Sequence, residues 1–568
     1  MSAMTKGAFA LPGSSLAYRT GTWRDQRPRH RRLPAPCHGD CPAGEDPQAY
    51  IARLQTAGAR AAWETLIAAN PLPAITGRVC NHPCESACNR GQFDEPIAIH
   101  AIERHLGDEA LRQGWPLPYP ALGADAPTVA VVGDGPAGLS AAYHLRRRGI
   151  RASLIEREAE PGGLLRLGIP DTRLPKDVVV AEIERLIADG IELRPHTVLG
   201  RDVHLDDLRR EFAAVLVAPG REKAHEWDVD GARPVDAKDG LSLLKEWLSV
   251  GEVGAEGECV VIHGGGNTAV DVARQLRFAG AREVHVVTAS ALPDDPESAP
   301  GDRMNAFPRE LAQAREEGVI FHPHHTVSRL ILRGDRVVGV ELTALRKLTG
   351  TDGRLHRVPF EGTERLIDTD RVVPAIGEVV DPTGLEAVLA GRAFIAADAL
   401  GRVSGHAGLF AGGDALGHQG TVSAAVGDGR RAAAAIAATL SGEEAVAEPA
   451  VEAIALEALS LGYFEHGPRA EPPILPVAQR DARREIEGGL TAEAVAAESL
   501  RCFSCGDCLT CDNCWTFCPD LAILKRRDRA RDGSDYVVDY EYCKGCGVCA
   551  AECPTGFIGM FEEPIETV

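Results

Sequence analysis

VAVVGDGPAGLSAAYHLRRRGIRASLIERE, residues 129–158, decides the fold of this 568-residue chain. Its start, Val129 to Val132, has the continuous hydrophobicity of a parallel strand buried on both faces. The strand runs into Gly133-Asp134-Gly135-Pro136-Ala137-Gly138, which opens an Ala/Leu-rich helix ending near Gly149. A second strand, Ala152 to Ile155, ends on Glu156, 23 residues after the first glycine. Gly133 makes the tight turn, Gly135 lets the backbone approach a pyrophosphate, and Gly138 lets helix and strand pack closely. Pro136 and Ala137 begin the helix whose positive end faces the phosphates, and Glu156 is placed for a ribose hydroxyl. Strand, loop, helix, strand and acid together predict a dinucleotide-binding unit.

CVVIHGGGNTAVDVARQLRFAGAREVHVVT, residues 259–288, repeats the pattern. Val260 to His263 reads as strand, and Asn267 to Phe278, with Thr268 in its first turn, as helix. Gly264, Gly266 and Ala269 take the three close-approach positions. The residues after the second strand choose the cofactor, because a ribose 2′-phosphate needs an arginine and a 2′-hydroxyl does not. Thr288-Ala289-Ser290 supply no arginine, and Asp294 and Asp295 stand close by, so this unit is expected to take NAD.

Outside these units the chain is ordinary in bulk and unusual in its cysteines. Apolar residues make up 44%, and 61 basic against 82 acidic residues leave a net charge of −21. Such an acidic chain is a poor general partner for nucleic acid or anionic membrane. No apolar run approaches a membrane span and the N-terminus has no signal-peptide pattern, so a cytoplasmic location is expected. Of sixteen cysteines, fifteen fall into two terminal groups and only Cys259 is isolated. In a cytoplasmic chain such groups ligate metal more readily than they form disulfides.

The C-terminal group contains Cys508-x2-Cys511-x2-Cys514-x3-Cys518-Pro and Cys543-x2-Cys546-x2-Cys549-x3-Cys553-Pro. These are two copies of the bacterial ferredoxin run, in which the fourth cysteine serves the other cluster. One [4Fe–4S] cluster is therefore expected on Cys508, Cys511, Cys514 and Cys553, and another on Cys543, Cys546, Cys549 and Cys518. The N-terminal group, Cys37-x3-Cys41 and Cys80-x3-Cys84-x3-Cys88, has the spacing of cluster ligands. Zinc is the competing metal, but zinc sites combine such units in fours and five cysteines fit poorly.

TGRVCNHPCESACNR followed by IAIHAIERH resembles the N-terminal iron–sulfur domain of the glutamate synthase small subunit and of dihydropyrimidine dehydrogenase. PGGLLRLGIPDTRLPKDVV, residues 161–179, continues the resemblance, which spans roughly residues 33–445. It implies FAD at the first unit, with Gly162, Gly163, Leu164 and Ile169 near the flavin ring. It also implies Asp414 at the ribityl chain, and Thr421 and Val422 at the helix end facing the flavin pyrimidine. NADPH-using relatives carry Tyr-Arg-Arg where this chain has Thr288-Ala289-Ser290. The family's Arg-Cys-x2-Cys-Gly element, normally just ahead of the counterpart of Cys37, stands here at Arg501 to Gly506. A permuted ligand set follows: Cys502 and Cys505 with Cys37 and Cys88 on one cluster, and Cys41, Cys80 and Cys84 on a second. Glu103, where dihydropyrimidine dehydrogenase has glutamine, is the candidate fourth ligand of that second cluster. The rival is that Cys502 and Cys505 are spare thiols and the N-terminal domain holds one cluster.

The expected fold is thus α/β, with two Rossmann-like domains, the NAD domain inserted in the FAD domain. A helical N-terminal iron–sulfur domain precedes them and a bacterial ferredoxin-like domain follows. The divisions are a solvated basic arm (1–36), the helical domain (37–125), the FAD domain (126–225 and 370–445), the NAD(H) domain (226–369), a linker (446–495) and the ferredoxin domain (496–568). A thioredoxin-reductase-like reading fails, since only Cys259 lies between residues 89 and 501. A flavin joins a two-electron nicotinamide to one-electron clusters, so no catalytic acid or base is required.

This layout resembles the flavin subunit of 2-oxoacid:NAD oxidoreductases of the phenylglyoxylate dehydrogenase type, whose partner subunits use thiamine diphosphate. An NADH:ferredoxin oxidoreductase or a glutamate-synthase-type reductase fits the same residues, as does a mainly architectural subunit. Four clusters predict roughly sixteen iron atoms per chain; roughly twelve, by iron and acid-labile sulfide analysis, would favour the single N-terminal cluster.

Overall fold

Two parallel sheets carry the two glycine loops. The computed structural model describes residues 19–187, 191–229, 237–251, 253–296, 298–350, 355–417, 420–447, 452–531 and 533–563. Strand β1 (Gln26–His30) leads into the helical domain, where helices Pro47–Leu66, Pro73–Val79 and Ile99–Gln113 enclose Trp63, Ile75 and Ile102. Proline at the first helical position starts Pro47–Leu66, Pro73–Val79, Pro83–Ser86, Pro136–Arg146 and Pro308–Glu316, where its missing N–H costs no bond.

β2 (Thr128–Val132), β3 (Arg151–Ile155), β4 (Glu192–Arg194) and β5 (Ala214–Val217) build the first sheet. The short β6 (Lys223–Ala224) leads out of it into β7 (Cys259–His263), β8 (Glu283–Thr288) and β9 (Ile320–Pro323) of the second. An antiparallel platform follows: β10 (His325–Arg333), β11 (Arg336–Thr349), β12 (Leu355–Pro359) and β13 (Arg365–Asp368). β14 (Arg371–Pro374) completes the second sheet in the order β14-β7-β8-β9. β15 (Glu378–Val379) pairs with β6 on the way back, and β16 (Leu409–Ala411) closes the first sheet in the order β16-β5-β2-β3-β4. One α/β domain is therefore inserted in another, as expected.

A helix from Val422 to Ser441 lies against Pro136–Arg146, with the Ser140 hydroxyl donating to Val426 O at 2.7 Å. Its face also meets the N-terminal domain: a Cβ at Gly427 would stand 2.0 Å from Pro42 O. Only glycine permits that approach, and it sets the loop carrying Cys41 on the flavin-side helix.

Two expected boundaries read differently in space. Residues 1–18 of the basic arm lie outside the described residues, but residues 19–36 are no solvated arm. β1 pairs antiparallel with β19 (Ile558–Glu562) of the C-terminal domain, which also holds β17 (Ile523–Lys525) and β18 (Tyr536–Val538). Arg24 forms two 2.9 Å bonds to Glu563, and Tyr540 Oη donates to Pro28 O at 2.7 Å. The arm's positive charge is thus used inside the chain. The linker is likewise a strap. Ile454 and Ile486 are buried, Arg469 reaches Glu85 at 2.6 Å, and Glu485 holds Arg78 at 2.8 Å and Arg104 at 3.0 Å. Packed side chains and ion pairs, absent from its Glu/Ala/Pro-rich composition, fix it across three domains.

A buried ion network joins the two dinucleotide domains. Arg173 of the flavin domain meets Asp271 at 2.8 Å and Glu310 at 3.2 Å. Arg274 meets Glu310 at 2.6 Å and Glu317 at 2.7 Å, and the strap's Arg480 adds a 3.0 Å contact to Glu317. The carboxylates and guanidiniums alternate, so each buried charge has an opposite neighbour. Arg274→Met would leave Glu310 and Glu317 undercompensated and should cost about 3–5 kcal/mol. Denaturant unfolding checks this, and replacing Glu310 and Glu317 by Gln in the same chain should recover most of the loss.

Candidate functional site

The loops after β2 and β7 empty into one cavity of about 1070 Å³. On the flavin side its wall includes Gly133, Gly135, Pro136, Ala137 and Glu156, then Gly163, Leu164 and Ile169, then Asp414, Thr421 and Val422. On the other side stand Gly266, Asn267 and Thr268. Gly138, Gly264, Ala269 and Thr288 lie behind these walls. The glycines divide their tasks as the pattern demands. A Cβ on Gly133 would meet Ala218 O at 2.4 Å, on Gly138 it would meet Gly133 O at 1.9 Å, and on Gly264 it would meet Ala375 O at 2.0 Å. At Gly135 and Gly266 nothing lies within 4 Å of that position, so both backbones are open to the cavity. Two open backbones, each ahead of a helix N-terminus, form the cradle that a pair of pyrophosphates requires.

The cavity's acid was legible in part. Glu156 Oε2 accepts from Asp134 N at 3.1 Å. Asp134, between the glycines, was not singled out in the sequence; its Oδ1 accepts from Gly162 N at 3.0 Å and ties the glycine loop to the Gly162-Gly163 turn. Burial, and next the neighbouring Glu156, push Asp134 up to about 8. Thr421 Oγ1 caps the helix Val422–Ser441 by accepting from Ala424 N at 3.3 Å. That helix end is a fixed positive pole on the cavity wall.

The turn after β8 departs from expectation. Asp294 and Asp295 are engaged elsewhere: Arg315 holds Asp294 at 2.5 Å, and Asp295 accepts from the Ser298 hydroxyl at 2.8 Å. The carboxylate beside Ser290 is instead Asp302, in a loop pinned to this turn by the bonds Ala291 N to Asp302 O (2.9 Å) and Met304 N to Ala291 O (2.8 Å).

The cysteines gather into four groups. Cys37, Cys88, Cys502 and Cys505 line one small cavity, 414 or more residues apart across the two chain ends. Cys41, Cys80 and Cys84 form a second group, in which Cys80 Sγ lies 3.4 Å from Ser423 Oγ at the start of the capped helix. Val79 and Asn81, flanking Cys80, reach the central cavity. Cys553 joins Cys508, Cys511 and Cys514 around a third site, and Cys518 stands beside Cys543, Cys546 and Cys549 at a fourth. Burial, with mutual repulsion as the next cause, pushes the Cys37 thiol well above its usual range and Cys514 up to about 12. Protonated thiols crowded this way fit thiolates compensated by metal.

Glu103 sits beside the second group, within a buried knot. Asn70 Nδ2 donates to it at 3.2 Å and to Glu45 at 2.7 Å, and the Thr76 hydroxyl also donates to Glu103. Burial raises Glu45 to about 7 and, with Glu45 as second cause, lifts Glu103 well above the carboxylate range. Glu45, four residues after Cys41, was missed in the sequence and is a second carboxyl within reach of this group. Cys259 is buried at the start of β7, far in sequence from every group.

A model of the pyridine nucleotide-disulphide oxidoreductases matches residues 127–429, more than half of the chain. The chain belongs to that family. Residues 32–115 match domain II of dihydropyrimidine dehydrogenase, a 4Fe–4S segment, and residues 507–557 match the 4Fe–4S dicluster domain. The β subunit of the NADP(+)-dependent formate dehydrogenase of Moorella thermoacetica is 33% identical over 88% of this chain and 73% of its own length. The β subunit of a Geobacter sulfurreducens NADPH-Fe(3+) oxidoreductase is 30% identical over 74% of this chain and 66% of its own length. The small chain of Escherichia coli glutamate synthase [NADPH] is 32% identical over 64% of this chain and 80% of its own length. The protein is therefore an electron-transfer flavin and iron–sulfur oxidoreductase of the NAD(P) type. No helix among the described residues is long and apolar enough to cross a membrane.

The two carboxyls beside Cys41, Cys80 and Cys84 can be told apart. Glu103→Ala is expected to lower iron by about four per chain, with Glu45→Ala unchanged. Iron analysis giving the reverse would assign the position to Glu45.

Proposed function

We propose that this chain passes electrons between [4Fe–4S] clusters, FAD and NAD(H). It reduces NAD⁺ with electrons from the thiamine-dependent subunits of a 2-oxoacid oxidoreductase, in the cytoplasm. A cavity that meets both glycine loops and the flanks of Cys80 supports this reading, because its wall carries both glycine loops and reaches one cysteine group. A flavin held there would exchange two electrons at once with a nicotinamide and one at a time with clusters.

The chain's own groups bind and orient. Gly135 and Gly266 admit the pyrophosphates, the N-termini of Pro136–Arg146 and Asn267–Phe278 oppose their charge, and Glu156 takes a ribose hydroxyl. Thr421 holds the helix end whose positive pole favours negative charge on the nearby ring. From the cavity the cysteine groups follow in sequence: Cys41, Cys80, Cys84 with Glu103, then Cys37, Cys88, Cys502, Cys505. Next come Cys508, Cys511, Cys514, Cys553, and last Cys518, Cys543, Cys546, Cys549. Adjacency supports this order: Cys37 lies in the short helix Pro36–Gly39 and Cys41 follows directly after its C-cap Asp40, and Gly506 N bonds Thr555 O at 2.8 Å between the second and third groups. Cys511 and Cys546 are exposed, which suits a terminal that meets another protein.

NAD(H) is favoured over NADP(H) because Ala289 and Ser290 follow β8 where a 2′-phosphate would need a guanidinium, and a buried acid, Asp302, adjoins them. A second reading replaces the 2-oxoacid subunits with a formate-oxidising subunit; the relative from Moorella thermoacetica, matched over 88% of this chain, favours it.

Anaerobic native purification with mass spectrometry of co-eluting chains separates these readings. Thiamine-binding and acyl-transferring subunits are expected. A formate dehydrogenase subunit would support the second reading, and a glutamate synthase large chain or elution alone would overturn both. NADH should bleach the flavin absorbance rapidly; an architectural subunit would leave it oxidised.

A further inference from the structure

The turn after β8 has basic side chains beside it, although its own sequence has none. They come from the antiparallel platform. Arg357 on β12 places Nη2 3.5 Å from Ser290 Oγ, and Lys347 on β11 reaches the same place. His324 N bonds Ser290 O at 3.3 Å and Leu345 N bonds His324 O at 2.7 Å, which fixes the platform to the turn. The glycine loop abuts this spot: a Cβ on Gly265 would meet Thr288 Oγ1 at 2.4 Å and Met304 Cβ at 3.2 Å. Ser290 therefore lies where the second strand of such a unit meets the ribose 2′ position.

Both bases are already engaged. Asp302 Oδ1 accepts from Arg357 Nε at 3.2 Å and Nη2 at 2.7 Å, and its other oxygen pairs with Lys347. The Asp302 side chain is 3% exposed, whereas Lys347 and Arg357 are 34% and 30% exposed. A buried carboxylate thus holds two half-exposed cations. His324 adds no charge at neutral pH, since burial and then Lys347 hold it below the usual histidine range. Asp294 is paired with Arg315 and takes no part.

We propose that Asp302 is a specificity-determining residue that confers the preference for NAD(H) by holding Lys347 and Arg357 away from a 2′-phosphate. The inference rests on the NAD(H) reading above. A 2′-phosphate at Ser290 would bring a second anion against Asp302 and compete with it for the same donors. A 2′-hydroxyl needs neither base. Without the carboxylate, the same lysine and arginine become a ready phosphate site, with the guanidinium able to bond two oxygens.

The test uses the full chain with its flavin and clusters, in two readouts. One is kcat/KM for NADH and NADPH in anaerobic dye reduction. The other is the affinity for 2′,5′-ADP against 5′-AMP by calorimetry, which needs no redox activity. Asp302→Asn is expected to raise NADPH efficiency and 2′,5′-ADP affinity at least about tenfold. Adding Arg357→Gln and Lys347→Gln should abolish the gain, and Asp302→Glu should keep the wild-type ratio. Lys347→Gln or Arg357→Gln alone, with Asp302 intact, should shift the ratio further toward NADH, which tests the idea even if Asp302→Asn folds poorly. An unchanged or lower 2′,5′-ADP affinity in Asp302→Asn, or Lys347 and Arg357 variants that leave the ratio unmoved, would overturn it. The wild-type ratio reports on the NAD(H) reading separately: NADPH preference there, with a further gain in Asp302→Asn, would sink that reading and with it the conferred preference, while showing that Asp302 weakens 2′-phosphate binding.

Discussion

The buried alternation of Arg173, Asp271, Glu310, Arg274, Glu317 and Arg480 constrains everything else in this molecule. Hydride exchange between two rings needs them in contact at one geometry, and two dinucleotide domains joined only by crossovers could adopt many. Here the flavin domain contributes Arg173, the nicotinamide domain contributes the three acids and Arg274, and the strap contributes Arg480. Each charge is too deeply buried to stand alone, so the domains are held in the register that satisfies all of them. The shared cavity is a product of that register.

The fold was largely legible because its decisive features are local. Gly133, Gly138 and Gly264 announce contacts that no side chain could survive, and the strands around them are short runs of Val and Ile. In the ferredoxin-like segment Cys553 lies with Cys508, Cys511 and Cys514, and Cys518 with Cys543, Cys546 and Cys549, the adjacency that the spacing of the repeated run leads one to look for. The gathering of Cys502 and Cys505 with Cys37 and Cys88 was reached through family likeness, because nothing in the local sequence joins residues so far apart.

What stayed hidden depends on long-range pairing of ordinary residues. Residues 24–30 read as a basic arm because Arg24 and Arg27 find their partners in Glu563 and Tyr540, and Arg29 in Phe561, over 500 residues away. The strap reads as a linker because Glu485, Glu487 and Arg469 look solvated until Arg78, His100 and Glu85 are set against them. Asp302, Lys347 and Arg357 fall on three separate segments. The sequence reading set Asp294 and Asp295 close to the turn after β8, and the structure pairs them with Arg315 and Ser298. Two local signals were overlooked: Asp134, standing between the two fingerprint glycines, and Glu45, four residues after a ligand candidate in a stretch that otherwise reads as a loop.

The pocket shared by Cys37, Cys88, Cys502 and Cys505 has a consequence for biosynthesis. At about 5–20 residues per second, the ribosome needs roughly 20–80 s to travel from Cys88 to Cys502. Through that interval two thiols of the pocket wait without the other two, while the dinucleotide domains between them are already able to fold. Closure of the pocket therefore falls after the C-terminal segment has been released and has reached back over the strap. The four thiols are therefore first together in a chain translated past Cys505, and a break between the strap and Cys505 would divide a pocket whose other half lies near the N-terminus.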